Sequence, residues 1–244
     1  IPESPMWLNQ HGRSEEANAI VARVYGEDVV LEYEEPSAKV PIMALFRGGY
    51  GKRIVFLGLL TLCQVVPMYA IYTFGPQIMT EFGLGAGQEA ILGESAVSLF
   101  FLVGTFPAMF WLNSLGRRSL LIVSLALMTI GMMILGIFLT APALVIIAAF
   151  GLYAFFSGGP GILQWLYPNE LFPTSVRASA VGVSIAISRL GTIAATYSLP
   201  IMLSSFGVGP TMLSASGLLL LGLVLSIFMA PETKGKSLTE ASKL

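Results

Sequence analysis

The chain has 244 residues, of which 55% are hydrophobic and 11% are charged, and its formal net charge is −1. A soluble domain of this length carries about a quarter charged residues, so the composition excludes an ordinary soluble domain and indicates a membrane protein. The single cysteine excludes a disulfide framework, and the single histidine, His11, excludes histidine-based metal centres and catalytic triads. We expect no enzyme activity, no metal, no cofactor and no nucleic-acid partner.

Residues 1–50 hold the polar part of the chain and predict a linker that contains one short amphipathic helix. The helix is expected to run from Ser14, which can cap it, to Gly26, which ends it. Its expected apolar face consists of Ala17, Ile20, Val21 and Val24. An acidic stretch with Pro36 and Pro41 follows and predicts a loop. We interpret the helix as a surface helix beneath a membrane bundle.

Six apolar segments follow, and each is close to the roughly 20 residues that cross a bilayer as a helix. They predict an all-helical membrane bundle over residues 51–232, with a tail over residues 233–244. The chain starts without a methionine or a signal peptide, so we expect it to be part of a longer protein. The predicted spans are 53–79, 91–112, 119–140, 143–168, 175–204 and 208–230.

The fourth span contains the run Gly158-Gly-Pro-Gly161 near its middle, and this run predicts a break in the helix. Irregular backbone at that depth of a membrane is tolerated only inside protein or along a cavity. Polar and aromatic side chains follow the run, among them Gln164, Trp165 and Tyr167. We therefore predict that a solute binds beside the break.

The positive charges predict the orientation of the bundle. Of the 13 Lys and Arg residues, all except Arg189 lie in the linker, the tail, or loops and span ends that an up-and-down bundle brings to one side. The opposite loops contain Glu81 and Glu89 but no cation. This asymmetry places both termini in the cytoplasm. The cations on the predicted cytoplasmic side are Arg13, Arg23, Lys39, Arg47, Lys52, Arg53, Arg117, Arg118, Arg177, Lys234, Lys236 and Lys243.

Arg189 is the exception because it lies at the centre of the fifth span, where an unpaired guanidinium is costly. The interiors of the six spans carry no acidic residue, since Glu94 and Glu170 are near span ends. The counter-ion of Arg189 is then a bound solute, a carboxylate elsewhere in a complete protein, or water. Because a guanidinium matches a carboxylate through two parallel hydrogen bonds, we favour an anionic solute over a structural pair.

Four motifs occur in register with the six spans. They are Pro2-Glu-Ser-Pro-Met-Trp-Leu8, Leu115-Gly-Arg-Arg118, Glu170-Leu-Phe-Pro-Thr-Ser-Val-Arg177 and Pro231-Glu-Thr-Lys-Gly-Lys-Ser-Leu238. Over essentially the whole chain, the motifs resemble the second half of a sugar-porter-like transporter of the major facilitator superfamily, in its metabolite–proton symporter branch. The resemblance implies helices 7–12 of a twelve-helix fold, in the plasma membrane or the inner membrane of a bacterium. It also implies a partner that this chain lacks, the six-helix N-terminal half.

The resemblance further implies a charged gate on the cytoplasmic side. Its residues are Arg117, Arg118, Glu170, Arg177 and Glu232. Either Arg117 or Arg118 is expected to pair with Glu170, while the other two residues join from neighbouring helix ends. Such pairs hold the cytoplasmic side closed and break when it opens, although Asn113 replaces a family aspartate and weakens one pairing. The alternative is that these are solvated loop charges that only set the topology.

The resemblance also implies a solute pocket. The implied binding residues are Gln64, Tyr69, Gln164, Trp165 and Arg189. Gln164 and Trp165 stand where sugar porters keep a polar residue and a tryptophan. In the first span Gln64 keeps one family amide, but Tyr69 replaces an asparagine, and in the second span Phe101 replaces another. Loss of most of these amides disfavours a hexose.

We therefore predict that the complete protein is a secondary transporter that moves a small organic metabolite across the lipid bilayer by alternating access. The predicted solute is a carboxylate or aromatic acid, and the resemblance implies proton symport through an acid in the other half. One alternative is a transporter of sugars or other neutral metabolites. Another is a truncated membrane module that serves as a scaffold without transport. A third is that two copies of the chain take the place of the two halves.

Overall fold

The computed structural model describes residues 3–10, 12–26, 45–46, 49–83, 85 and 87–236. Within these ranges the chain forms eight helices of six residues or more and no strand, which confirms the all-helical class. Contacts divide the chain into two compact units, Ile1–Ala44 and Leu45–Leu244. Several predicted features lie outside the described residues, namely His11, the loop with Pro36 and Pro41, and the cations Lys39, Arg47 and Lys243.

The first unit contains two short helices, α1 (Pro5–Gln10) and α2 (Ser14–Tyr25). Leu8 of α1 is buried, as are Ala17 and Val21 of α2, so part of the predicted apolar face is covered. Ile20 is half-buried and Val24 is 59% exposed, so the described residues do not cover the last turn of that face.

The start of α2 differs from the prediction. Arg13 occupies the N-cap position, and no side chain caps the helix there. The Ser14 hydroxyl instead donates to Oδ1 of Asn9 at 2.6 Å. The Arg13 guanidinium donates to both carboxylate oxygens of Glu16, at 2.8 and 2.7 Å, and these hydrogen bonds lower the pKa of Glu16. Gly26 ends the helix as predicted, with φ at +100°.

Six helices of the second unit are long and apolar enough to cross a membrane. Each helix boundary lies within one turn of the predicted position. The helices are α3 (Gly51–Glu81), α4 (Gln88–Ser114), α5 (Arg117–Ile137), α6 (Ala143–Leu171), α7 (Thr174–Phe206) and α8 (Val208–Met229).

Close contacts between helices hold this bundle together. α3 packs against α7 and α8, α6 packs against both α4 and α5, and α5 packs against α8. A Cβ on Gly131 of α5 would lie 2.9 Å from the carbonyl oxygen of Ala149 in α6. A Cβ on Gly136 would lie 2.7 Å from the Leu213 side chain in α8. Small residues permit such approach, which supplies the van der Waals attraction between helices in lipid.

α6 runs without interruption from Ala143 to Leu171, so the predicted break at Gly158–Gly161 is wrong. A Cβ on Gly158 would lie 2.9 Å from the backbone of Thr105 in α4. A Cβ on Gly159 would lie 2.6 Å from the Ser124 hydroxyl in α5. The glycines therefore let two neighbouring helices approach α6, and this packing overrides the poor helix propensity of glycine.

Candidate functional site

A cavity of about 60 Å³ lies between α3, α6 and α7. Three of the residues predicted to bind a solute line it, namely Gln164 and Trp165 from α6 and Arg189 from α7. Thr61 of α3 and Ser188 of α7 also line it. The structure thus brings together side chains that are far apart in the sequence and that the family resemblance had placed in one pocket.

Helical periodicity explains why these side chains share one cavity. The residues that α7 contributes are Val181, Ser184, Ile185, Ser188 and Arg189. The residues that α3 contributes are Leu57, Thr61 and Val65. Spacings of three and four residues place side chains on one face of a helix. Because Arg189 lies half-way along α7, the cavity reaches the middle depth of the bundle.

The hydroxyl groups of the cavity are already used as donors. Ser188, Ser184 and Thr61 each donate to a carbonyl of their own helix, at 2.8, 2.9 and 2.7 Å. Their oxygens can still accept a hydrogen bond, but their protons are engaged. The amide of Gln164, the indole N–H of Trp165 and the guanidinium of Arg189 are the remaining donors of the cavity. It therefore offers a ligand mainly hydrogen-bond donors and one positive charge.

Arg189 is exposed in the second unit and forms no ion pair or hydrogen bond with any described residue. Trp165, on the facing helix, is 64% exposed, so its indole ring is also open on one side. A cation, an amide and an aromatic face thus border one cavity.

The two other predicted binding residues do not line this cavity. Gln64 is 4% exposed and lies within the packed part of α3. Tyr69 is half-buried on the same helix. Tyr72, one turn further on, packs edge-to-face on Phe101 of α4, with ring centroids 6.1 Å apart. Tyr72 therefore contributes to packing between α3 and α4.

A charged cluster joins the ends of three helices, and its carboxylates are Glu170 of α6 and Glu232 after α8. The Arg117 guanidinium at the start of α5 contacts Glu170 through Nη2 at 2.9 Å and through Nε at 3.2 and 3.3 Å. Both side chains are largely buried, with relative exposures of 17% and 10%. The hydroxyl of Thr233 also donates to Glu170. Arg117, rather than Arg118, is therefore the partner of Glu170.

Glu232 binds the start of α5 through backbone groups. Its two carboxylate oxygens accept from the N–H groups of Arg117 at 3.0 Å and Arg118 at 3.1 Å, and one of them also accepts from the N–H of Lys234 at 2.9 Å. Burial alone would raise the pKa of Glu232, but these backbone hydrogen bonds outweigh it, and the pKa is lowered. Gly116, with φ at +91°, leaves room for the carboxylate, because a Cβ there would lie 2.6 Å from Oε2 of Glu232.

The guanidinium groups of the two remaining predicted gate arginines donate to carbonyl groups rather than to carboxylates. Arg118 donates through Nη2 to the carbonyl of Ile227 at 2.8 Å. Arg177 donates through Nε to the carbonyl of Phe172 at 3.1 Å, and among described residues it has no acidic partner. The expectation that Arg177 joins the carboxylates is therefore not met, because its side chain folds back on the turn before α7.

Three residues of this region were not predicted from the sequence, and a fourth, Tyr167, was expected beside a solute rather than here. Thr233 and Gly116 contact the two carboxylates, as described above. Lys234 donates through Nζ to the carbonyl of Ser114 at 2.6 Å, and the Tyr167 hydroxyl donates to the carbonyl of Pro231 at 2.7 Å. Thr233 and Lys234 lie inside the fourth motif, so the motif itself was a usable signal. Nothing in the sequence distinguishes Tyr167 from a packing residue.

A family model described as "Sugar (and other) transporter" matches residues 1–244. The chain belongs to the sugar (and other) transporter family. The six apolar helices and the family confirm a multi-pass protein of the plasma or inner membrane. The family consists of transporters, so the prediction that the protein is not an enzyme is also confirmed.

Several members of the sugar (and other) transporter family are similar along the whole chain. The "Putative metabolite transport protein YaaU" of Escherichia coli (strain K12) is 48% identical over 100% of this chain and 55% of its own length. The "Inner membrane metabolite transport protein YgcS" of the same strain is 32% identical, over 100% and 54%. The "Arabinose-proton symporter" of Bacillus subtilis (strain 168) is 33% identical, over 100% and 55%. The chain thus spans about half the length of these relatives.

Solved structures in the same superfamily share the fold. The proton:xylose symporter XylE bound to 6-bromo-6-deoxy-D-glucose matches with a TM-score of 0.76 and 23% identity, over 100% of this chain and 54% of that chain. A double Trp mutant of XylE matches with a TM-score of 0.80 and 25% identity, over the same shares. The predicted six-helix half of the major facilitator fold is therefore confirmed.

Proposed function

We propose that this chain is the second half of a secondary transporter and that a solute binds in the cavity between α3, α6 and α7. The observation that carries the proposal is the convergence of Gln164, Trp165 and Arg189 on one cavity at the middle depth of the bundle. Transporters of this build bind their substrates near the bilayer midplane, between the two halves. The exposed face with Arg189 then turns toward the other half, or toward a second copy of the chain.

The proposed solute is a small organic anion, a monocarboxylate or an aromatic acid. A guanidinium at mid-depth is costly unless a counter-ion neutralises it, and no described residue does so. A carboxylate can take two parallel hydrogen bonds from Arg189 and a further one from Gln164. The open indole of Trp165 supplies a flat face for an aromatic ring.

A second candidate solute is a sugar. It is favoured by the 33% identity to a relative named as an arabinose-proton symporter. An amide beside an indole, as at Gln164 and Trp165, also suits the hydroxyl groups and apolar face of a sugar ring. The two candidates differ at Arg189, because a neutral sugar supplies no counter-ion for its charge.

Uptake by the complete carrier in proteoliposomes tests this proposal. Arg189→Gln is expected to lower the uptake of a carboxylate such as benzoate or lactate by about 100-fold or more, because a buried charge-assisted pair is lost. Arg189→Lys should restore only part of it, since an ammonium cannot form the bidentate pair. Arg23→Gln is the matched control, because it removes one exposed arginine outside the bundle, and its uptake should stay at the wild-type level.

Two results would count against the anion. Unchanged carboxylate uptake by the Arg189→Gln carrier would show that the guanidinium does not bind the solute. Robust uptake of arabinose or xylose by the wild-type carrier, with loss in a Gln164→Leu variant, would favour the sugar.

The charged cluster is proposed as the cytoplasmic gate. The pair of Arg117 and Glu170 joins α5 to α6, and Glu232 joins the end of α8 to the start of α5, so these contacts close one end of the bundle. Opening that end requires them to separate. The proposed coupling ion is a proton. We place the acidic residue that binds it in the other half, because Glu94 and Glu170 lie near the ends of α4 and α6 rather than at mid-depth.

A further inference from the structure

A second pocket, of about 250 Å³, lies where α3 begins and where α6 and α8 end. Its described lining consists of Lys52, Arg53, Phe56, Leu171, Met229 and Pro231, which are two cations and four apolar residues with no carboxylate. None of them lines the cavity around Arg189, so the two sites are separate. The pocket therefore combines positive charge with an apolar wall at a membrane boundary.

The two cations of this pocket differ in how firmly they are held. Arg53 donates through Nη1 to the carbonyl of Leu171 at 3.0 Å, and its guanidinium lies 5.8 Å from the centroid of the Tyr50 ring. These contacts fix a charge that carries five N–H donors at the rim of the pocket. Lys52 is exposed and forms no salt bridge with a described residue.

The two described carboxylates that neighbour the pocket in the sequence have other partners. Glu170, next to Leu171 in the sequence, pairs with Arg117 on α5. Glu232, next to Pro231, accepts backbone N–H groups at the start of α5. Both acids thus bind groups of α5, and neither lines the pocket or forms a salt bridge with Lys52.

We propose that this pocket binds the headgroup of an anionic phospholipid. Basic pockets between transmembrane helices at the membrane surface recognise lipid phosphates. A volume of about 250 Å³ is below that of most sites that enclose a whole ligand, so it suits a headgroup whose acyl chains stay in the bilayer. Met229, an apolar residue at the end of α8, is 40% exposed and can contact the start of those chains, which a free phosphate lacks.

Lipid binding by the wild-type chain and by a double variant tests the proposal. The protein is placed in phosphatidylcholine nanodiscs with increasing fractions of phosphatidylglycerol, and bound lipid is counted by native mass spectrometry. Lys52→Gln with Arg53→Gln is expected to weaken phosphatidylglycerol binding roughly 30-fold, at about fivefold for each charge. The matched control is Arg23→Gln with Lys236→Gln, which removes the same charge from exposed positions outside the pocket and should bind like the wild type.

Three further measurements decide the outcome. The thermal midpoint in pure phosphatidylcholine shows whether the double variant folds. If it does not fold, the Lys52→Gln variant alone is tested, and its affinity for phosphatidylglycerol is expected to fall about fivefold. Inorganic phosphate should not displace the lipid, and full displacement would overturn the proposal in favour of a free-anion site. Equal binding by the wild type and the pocket variant, or an equal loss in the control, would also overturn it.

Discussion

Glu232 serves as the N-terminal cap of a helix to which it does not belong. Its carboxylate accepts the first two backbone N–H groups of α5, which have no partner within that helix. A negative charge is also favourable at this end of the helix dipole. The carboxylate can come this close only because Gly116 has no side chain and adopts φ of +91°.

Gly116→Ala is expected to destabilise the protein by about 2 kcal/mol, because the new residue is strained at that φ and displaces the capping carboxylate. Chemical unfolding in detergent measures the change. Gly182→Ala in α7 is the matched control, since no atom lies within 4 Å of the added Cβ, and it should be neutral or stabilising by about 0.5–1 kcal/mol. A loss of the same size in both variants would refute the role of Gly116.

α6 shows how packing decides the form of a single element. Its glycine–proline run is typical of a helix break, yet the helix continues from Ala143 to Leu171. Contacts with Thr105 of α4 and Ser124 of α5 occupy the space that side chains at Gly158 and Gly159 would need. The run therefore marks a place where α4 and α5 approach α6 closely, and α6 stays helical across it although Pro160 has no N–H to donate.

Gly158→Ala is expected to cost about 1–3 kcal/mol, since its Cβ would lie 2.9 Å from the backbone of Thr105, which cannot move aside as a flexible side chain can. Thermal unfolding in a single detergent provides the measurement. Gly217→Ala in α8 has no atom within 4 Å of the added Cβ and serves as the control. A Gly158→Ala protein as stable as the control would mean that the glycine instead serves flexibility of α6.

At the scale of the molecule, the charged cluster ties three helix ends together. Its central ion pair, Arg117 with Glu170, is largely buried, with relative exposures of 17% and 10%. The pair of Arg13 with Glu16 in the first unit has the same chemistry but exposures of 48% and 57%. Burial reduces screening by solvent, so only the pair of Arg117 with Glu170 is expected to couple strongly.

A double-mutant cycle with Arg117→Gln and Glu170→Gln is expected to give a coupling free energy of about 1–3 kcal/mol. The same cycle on Arg13 and Glu16 should give no resolvable coupling, because both side chains are exposed to solvent. Unfolding in detergent at low and high salt measures both. If the two pairs couple equally, or if salt abolishes the coupling between Arg117 and Glu170, the cluster does not hold the helix ends together.

The sequence predicted the six spans well because the length and apolar content of a membrane helix follow from the thickness of the bilayer. It could not predict that α6 is continuous, since the same glycines permit either a break or a close approach. Only the neighbours, Thr105 and Ser124, decide between the two.

The candidate site was predicted in part. The spacing of residues along α6 and α7 determines which helix face each side chain occupies. Family motifs keep that spacing, so they could predict that Gln164, Trp165 and Arg189 meet. Gln64 and Tyr69 of α3 carry equally suggestive side chains, but neither lines the cavity between α3, α6 and α7. At the charged cluster the motif did not distinguish Arg117 from Arg118, because two adjacent arginines differ only in which helix face each occupies.

The contact between Gly116 and Glu232 has an evolutionary consequence. The two positions belong to different motifs, yet neither can change freely while the other stays the same, because a Cβ at residue 116 and a carboxylate at residue 232 compete for one space. Lineages that lose the glycine should also have lost the acid or shortened it. The pair is thus expected to co-vary as a single inherited unit, although 115 residues of sequence separate the carboxylate from the amide of Arg117 that it caps.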